Sequence, residues 1–220
     1  MAKLRGNLFG NFQGKLGLAY GRMVHGVNLG ANMPTPRGKG FPYTSAERDR
    51  QLRFKTLAQL ASAFQGANDL GLKAKAKQIG PLVSPFDAFI NINAPVVSVT
   101  GGEAEVDYGS IICSVGKMPA VAFGNPSFAE PGRVSVTFPA TADEPGTDAQ
   151  DLVYVMLYQP DTNQGIISAS VLRTSGTVSV RVPASWTGMT VHVYGFAIGD
   201  GRDNKGVASD SSYVGTGNIG

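Results

Sequence analysis

Thr177-Val178-Ser179-Val180-Arg181-Val182 and, a few residues on, Thr190-Val191-His192-Val193-Tyr194-Gly195-Phe196-Ala197-Ile198 alternate with a period of two. Successive side chains of a strand point to opposite faces, so Val178, Val180 and Val182 face one way while Thr177, Ser179 and Arg181 face the other. Val191, Val193 and Gly195 oppose His192, Tyr194 and Phe196 in the same manner. The pattern repeats outward through β-branched and aromatic runs separated by Gly, Pro, Asp and Asn. It predicts strands near Val96–Thr100, Glu103–Tyr108, Ile111–Ser114, Ala120–Phe123, Arg133–Phe138, Leu152–Tyr158, Gly165–Leu172 and Ser211–Gly215, besides the two quoted. Two antiparallel sheets in an immunoglobulin-like or fibronectin-like β-sandwich accommodate that number.

Upstream of Pro95 the period lengthens. Thr44 and Glu47 have the spacing of a capping box, and Phe54, Leu57, Ala61 and Phe64 follow at intervals of three and four, which predicts an amphipathic helix to about Gln65. Gly66, Asn68 and Gly71 weaken it, and Leu70–Lys77 is expected to resume it until Pro81. Ser84 before Pro85 offers an N-cap with proline at the first helical position, so Phe86–Asn93 reads as a short helix presenting Phe86, Phe89 and Ile90.

Before Thr44 neither period holds. Glycines at 6, 10, 14, 17, 21, 26 and 30 are interleaved with Leu8, Phe9, Phe12, Leu16, Tyr20, Val24 and Val27, and prolines 34, 36 and 42 bound a connector. Glycine loses the most entropy on ordering, while exposed Phe and Tyr are poorly solvated, so this leader is expected to order against something else, as short hairpin strands or an extended arm. The organisation expected is an α+β, predominantly β chain. It has an extended Gly-rich basic arm (1–43), a helical segment (44–94) and the sandwich (95–220), with 95–125 open to reading as a separate β extension.

Charge divides the chain along the same lines. Residues 1–77 carry thirteen Lys and Arg against three acids and residues 78–220 six against thirteen, so the overall +3 conceals a basic half and an acidic half. No stretch approaches eighteen uncharged apolar residues, and Met1–Gly6 is not followed by the apolar run of a secretory signal. A cytoplasmically synthesised chain with no membrane span is expected. The single Cys113 lies in an apolar stretch and reads as a buried structural thiol.

No reaction chemistry rises from the remaining motifs. Gly14-Lys15 lacks both the glycine five positions earlier and the following hydroxyl of a phosphate loop, those places being Phe9 and Leu16. Asp143, Glu144, Asp148 and Asp151, like Asp200 and Asp203, miss the alternating spacing of a calcium loop and read as ordinary β-connections. His25 and His192 have no acid or nucleophile at a recognisable spacing. Catalytic, cofactor-binding and metal sites are therefore all expected to be absent.

Several stretches resemble an uncharacterised family common in Bacteroidota genomes and in their phages and mobile elements. They are Gly6–Gly17, Thr44–Phe54, Leu70–Lys73, Tyr108–Ile111, Ser114–Pro119, Asp151–Pro160, Arg173, Val182–Gly188, Val191–Phe196 and Asp210–Gly215. The leader departs from that pattern where Met23–Gly30 is richer in glycine. The resemblance brings no chemistry with it and implies no residue role.

The function expected is that of a non-enzymatic structural subunit of a self-assembling particle or filament, above all a phage virion protein. Its assembly arm would comprise Phe9, Phe12, Lys15, Leu16 and Tyr20, and its partners would be other copies and other particle proteins, in a virion or extracellular particle. One alternative is sequence-independent nucleic-acid binding through Arg48, Arg50, Arg53, Lys55, Lys73, Lys75 and Lys77. Another is surface glycan binding on exposed Trp186, Tyr194 or Tyr213.

Overall fold

A computed structural model describes residues 2–3, 14–16, 19–24, 27–32, 42–140, 145–201 and 203–220. Contacts divide the chain into two compact units, Met1–Thr44 and Ser45–Gly220.

In the first unit β1 (Ala2–Lys3), β2 (Gly14–Leu16), β3 (Ala19–Val24) and β4 (Val27–Asn32) form one antiparallel sheet in the order β1-β4-β3-β2. The register brings three of the recurring glycines together: Gly14 pairs with Gly21, Gly21 with Gly30, and Gly30 with Ala2, giving one row of the smallest residues across all four strands. On one side of it lies the Lys15–Tyr20–Ala31 row, and on the other Arg22–Leu29–Lys3.

The second unit is mixed α+β with more strand than helix. Helices α1 (Ser45–Ala63), α2 (Gln65–Gly71) and α3 (Lys73–Ile79) follow one another almost without interruption. Backbone bonds from Phe64 N to Leu60 O, Asn68 N to Phe64 O and Leu72 N to Asn68 O carry the ladder across both breaks. The weakening expected at Gly66, Asn68 and Gly71 is thus not a loop, and packing overrides propensity there. A Cβ on Gly71 would stand 2.7 Å from the Cys113 carbonyl oxygen, so glycine is what lets this helix touch the neighbouring backbone. Phe54, expected on the buried face, is 60% exposed, because the apolar face begins one turn later at Leu57. Helix α4 (Pro85–Ile92) starts as the sequence predicts: Ser84 Oγ accepts from Asp87 N, and the Asp87 carboxylate accepts in return from Ser84 N.

Hairpin β5 (Val97–Thr100) and β6 (Glu103–Val106) turns through Gly101 and Gly102, both at positive φ, as a tight two-residue hairpin requires. The strands then fall into two antiparallel groups. β7 (Arg133–Thr137) pairs with β11 (Thr177–Arg181). β8 (Leu152–Gln159) and β12 (Thr190–Ile198) are the centre of the larger sheet, with β13 (Ser212–Asn218) on one side and β9 (Gln164–Ile167) and β10 (Val171–Leu172) on the other. The single strand expected over Gly165–Leu172 is therefore two pieces on one partner, and Ser168 bridges the gap by exchanging bonds with Val155.

The larger sheet is buried on both faces. Val153, Val155, Leu157, Val191, Val193 and Ala197 join Val134, Val136, Val178 and Val180 of the two-stranded sheet in one core. Met156, Tyr158, Tyr194 and Phe196 join Leu57, Leu60, Phe64 and Phe89 of the helices in a second. A sandwich-like arrangement thus carries a helical layer on its outer face. Cys113 lies fully buried in the helical core, and that burial pushes its thiol up to about 12.

Two predicted strands are absent. Ile111–Ser114 and Ala120–Phe123 are irregular: side chains satisfy the backbone of the first where a ladder would have, and in the second Phe123 N turns back to Val121 O. The Asn93 amide donates to Ile112 O at 2.8 Å and accepts from Ile112 N at 2.8 Å; Ser211 Oγ accepts from Cys113 N and Ser114 N; Ser114 Oγ donates to Ser209 O.

Candidate functional site

Where the β5–β6 hairpin, the turn Asp107–Ser110 and strands β12 and β13 meet, they leave an open groove of about 600 Å³ lined by Ser98, Glu105, Asp107, Tyr108, His192 and Tyr213, among others. The turn is fixed locally. The Asp107 carboxylate accepts from Gly109 N at 3.1 Å and Ser110 Oγ at 2.6 Å, which sets Tyr108 over the sheet. Buried Tyr194 holds it there by donating its hydroxyl to the Tyr108 carbonyl at 2.7 Å.

The aromatic rings form a continuous series from core to groove. Phe64 meets Tyr194 edge-on at 5.2 Å, Tyr194 meets Tyr213 at 5.4 Å, and His192 lies 6.0 Å from Tyr213 and stacks on Tyr108 at 4.4 Å and 23°. His192 Nδ1 and the Tyr213 hydroxyl share a hydrogen bond of 2.9 Å. Burial lowers the His192 pKa, so the ring is neutral near pH 7. Burial first and the Asp161 charge second raise Tyr108; burial, opposed by a Thr216 hydrogen bond and helped by the Asp107 charge, raises Tyr213. Glu105 and Asp107 are exposed, and among the described residues no Lys or Arg lines the groove. Such a floor of stacked rings beside carboxylates suits a cationic group, held by ring faces and by charge.

A second hollow of about 320 Å³ lies between α1, α2 and the start of α4. Asn68 at its wall donates to Ala61 O at 3.1 Å, while its buried Oδ1 has no partner among the described residues.

The residues singled out from sequence fall elsewhere. Lys15 and Leu16 lie on β2 and Tyr20 on β3, with Lys15 and Tyr20 paired in register; Phe9 and Phe12 lie outside the described residues. Arg48, Arg50, Arg53 and Lys55 are exposed on α1, and Lys73 and Lys77 on α3, with Lys75 half-buried. At about 100° per residue, Arg48 and Lys55 fall on one side of α1 and Arg50 and Arg53 on the other, while on α3 Lys73 and Lys77 share a face opposite Lys75, so the charges form no single basic face. Trp186 and Tyr194, named in the glycan alternative as exposed platforms, are 0% exposed, and Trp186 Nε1 donates to exposed Gln164 at the start of β9. Only Tyr213 of that set reaches the surface. In the acidic loops, buried Asp151 accepts from Asp148 N and Asn204 Nδ2, tying two β-connections together, and Asp200 pairs with Lys205 at 3.8 Å; Asp143 and Glu144 lie outside the described residues. Among the described residues no three His, Cys, Asp or Glu side chains converge to hold a metal, and no helix is long and apolar enough to cross a membrane.

Sequence spacing could not assemble the groove, since Tyr108, His192 and Tyr213 come from separate parts of the chain. Each does sit in a stretch that carries the family resemblance: Tyr108–Ile111, Val191–Phe196 and Asp210–Gly215. A family model covers residues 12–215. The chain belongs to DUF6266, a family of unknown function. Membership in DUF6266 spans the leader strands from β2 onward, the helical layer and nearly all of the sandwich. No curated protein matches the chain in sequence.

Proposed function

We propose that this DUF6266 protein is a non-enzymatic structural subunit of a self-assembling particle or filament, a phage virion foremost, in which the leader joins neighbouring copies. The observation that carries this is the character of residues 1–44. They form a compact unit of their own, hold six Lys and Arg and no acid, and end in outer strands β1 and β2 whose free sides meet no further strand among the described residues. An open edge is a template for strand addition by a second chain. The phage or particle setting, with synthesis in the cytoplasm, rests on the family resemblance of the sequence.

The test compares the full chain with a chain lacking residues 1–44, by light-scattering mass and negative-stain electron microscopy, with a cooperative thermal melt as the control for folding. Rings, shells or filaments from the full chain that become monomers on truncation support the reading; monomers from both at high concentration refute it.

Nucleic-acid binding is a second reading, favoured by the exposed Arg48, Arg50, Arg53 and Lys55 in the N-terminal half of α1. It requires affinity that is independent of base sequence and falls steeply with salt.

A further inference from the structure

We infer that the groove of Glu105, Asp107, Tyr108, His192 and Tyr213 is the acceptor for the basic leader sheet of a second copy of this chain. This rests on the assembly reading above and adds to it the receiving surface. Charge complementarity selects the occupant. The groove presents two exposed carboxylates, stacked rings and a neutral imidazole, with no Lys or Arg among the described lining residues. The leader presents the converse, six cations and no acid over 1–44. Its strand register places Lys15 beside Tyr20 on one side of the glycine row, and Arg22 with Lys3 on the other.

Lys15, Arg22 and Lys3 each stand one residue from the glycine row, so by strand alternation they share one face of the leader sheet, a cationic face to set against the two carboxylates. The groove also has somewhere to pass the load. Tyr108 is anchored through its carbonyl to Tyr194, which meets Phe64 of the helical core, so a docked segment pulls on the interior of the fold. Nucleic acid is repelled by the same carboxylates, which separates this surface from the basic turns of α1.

The test is a charge exchange in the full-length protein, read by analytical ultracentrifugation across concentration and salt. Glu105 is exposed on β6 and its carboxylate has no hydrogen bond or ion pair among the described residues, unlike Asp107, which fixes its turn. Glu105→Lys is therefore expected to weaken association about tenfold or more, since it sets like charges against each other, and the leader variant Lys15→Glu/Arg22→Glu to do the same. Combining the two should restore association to within about threefold of the wild-type chain, because the charges again oppose. Circular dichroism confirms folding of each variant.

If the leader variant dissociates the protein while Glu105→Lys does not, or if the combination stays as weak as either parent, the groove is not the acceptor and the assembly reading survives. If the wild-type chain is monomeric throughout, the assembly reading fails and this inference fails with it.

Discussion

Replacing Phe64 by Ala tests whether the helical layer and the β-sheet are one cooperative body. Phe64 is 0% exposed and sits at the centre of an aromatic cluster, 5.5 Å from Phe89, 5.3 Å from Tyr158 and 5.2 Å from Tyr194. Truncating a buried Phe to Ala costs about 3–5 kcal/mol, and this site belongs at the upper end, because three ring contacts are lost and rings held by β8 and β12 cannot collapse into the space. For a domain of 150–250 residues each kcal/mol moves the melting temperature by about 2–4 °C, so a loss of about 4 kcal/mol predicts a fall of about 8–16 °C. Phe64→Leu, which keeps most of the apolar volume, should lose roughly half as much or less. The assay is urea and thermal unfolding followed at once by helical circular dichroism and by fluorescence of Trp186, which lies in the other core across the sheet. Coincident transitions shifted together are expected. A loss below about 1 kcal/mol, or a helical signal that melts early while Trp186 fluorescence stays put, would show that the two layers are not joined through Phe64.

Gly165→Ala should destabilise by about 2 kcal/mol or more in the same unfolding assay, because the new Cβ would stand 2.1 Å from the Ala63 carbonyl oxygen, a backbone atom that cannot step aside; an unchanged melt would show that α1 does not approach β9 so closely. Stability should decline as pH falls below His192's ordinary value of 6.5: its folded pKa is depressed by burial, the unfolded chain takes up the proton first, and the contribution present above 6.5 is lost on the way down to the folded pKa. His192→Gln should flatten that part of the stability–pH profile, and an equally steep profile in the variant would sink the assignment. Cys113, fully buried with its thiol raised to about 12, should resist Ellman's reagent at pH 8 in the folded protein and react only as fast as the chain unfolds, so labelling within seconds of mixing would contradict its burial.

The legible parts of this chain are those where local pattern and global packing ask for the same thing. Thr190–Ile198 alternates cleanly, and the fold sorts its two sides into two different cores. Ser84-Pro85 starts a helix because the cap and the proline act within four residues. Legibility ends where distant partners decide. Ile111–Ser114 has a strand's composition, yet its backbone is satisfied by Asn93, Ser209 and Ser211, which no local period announces. Gly66 and Gly71 argue against helix until Ile167 and Cys113 are seen pressing on them. Trp186 is open to reading as a surface platform after its Pro-Ala-Ser turn, but its ring is buried in the sandwich core and its N–H is taken by Gln164 at the start of β9. The groove is the extreme case, since its rings come from a turn and two strands that no spacing relates.

The double-sided burial of the central sheet also sets a timetable for biosynthesis. Phe64 and Phe89 leave the ribosome long before Tyr158, and longer still before Tyr194 and Phe196, which complete their core. With elongation at about 5–20 residues per second, the nascent helices must wait on the order of ten seconds for a surface to settle on. During that wait their apolar stripe is open to chaperones and to neighbouring nascent chains on the same message. The chain would then be most vulnerable while half made, and slower translation after Ile92 would lower its soluble yield.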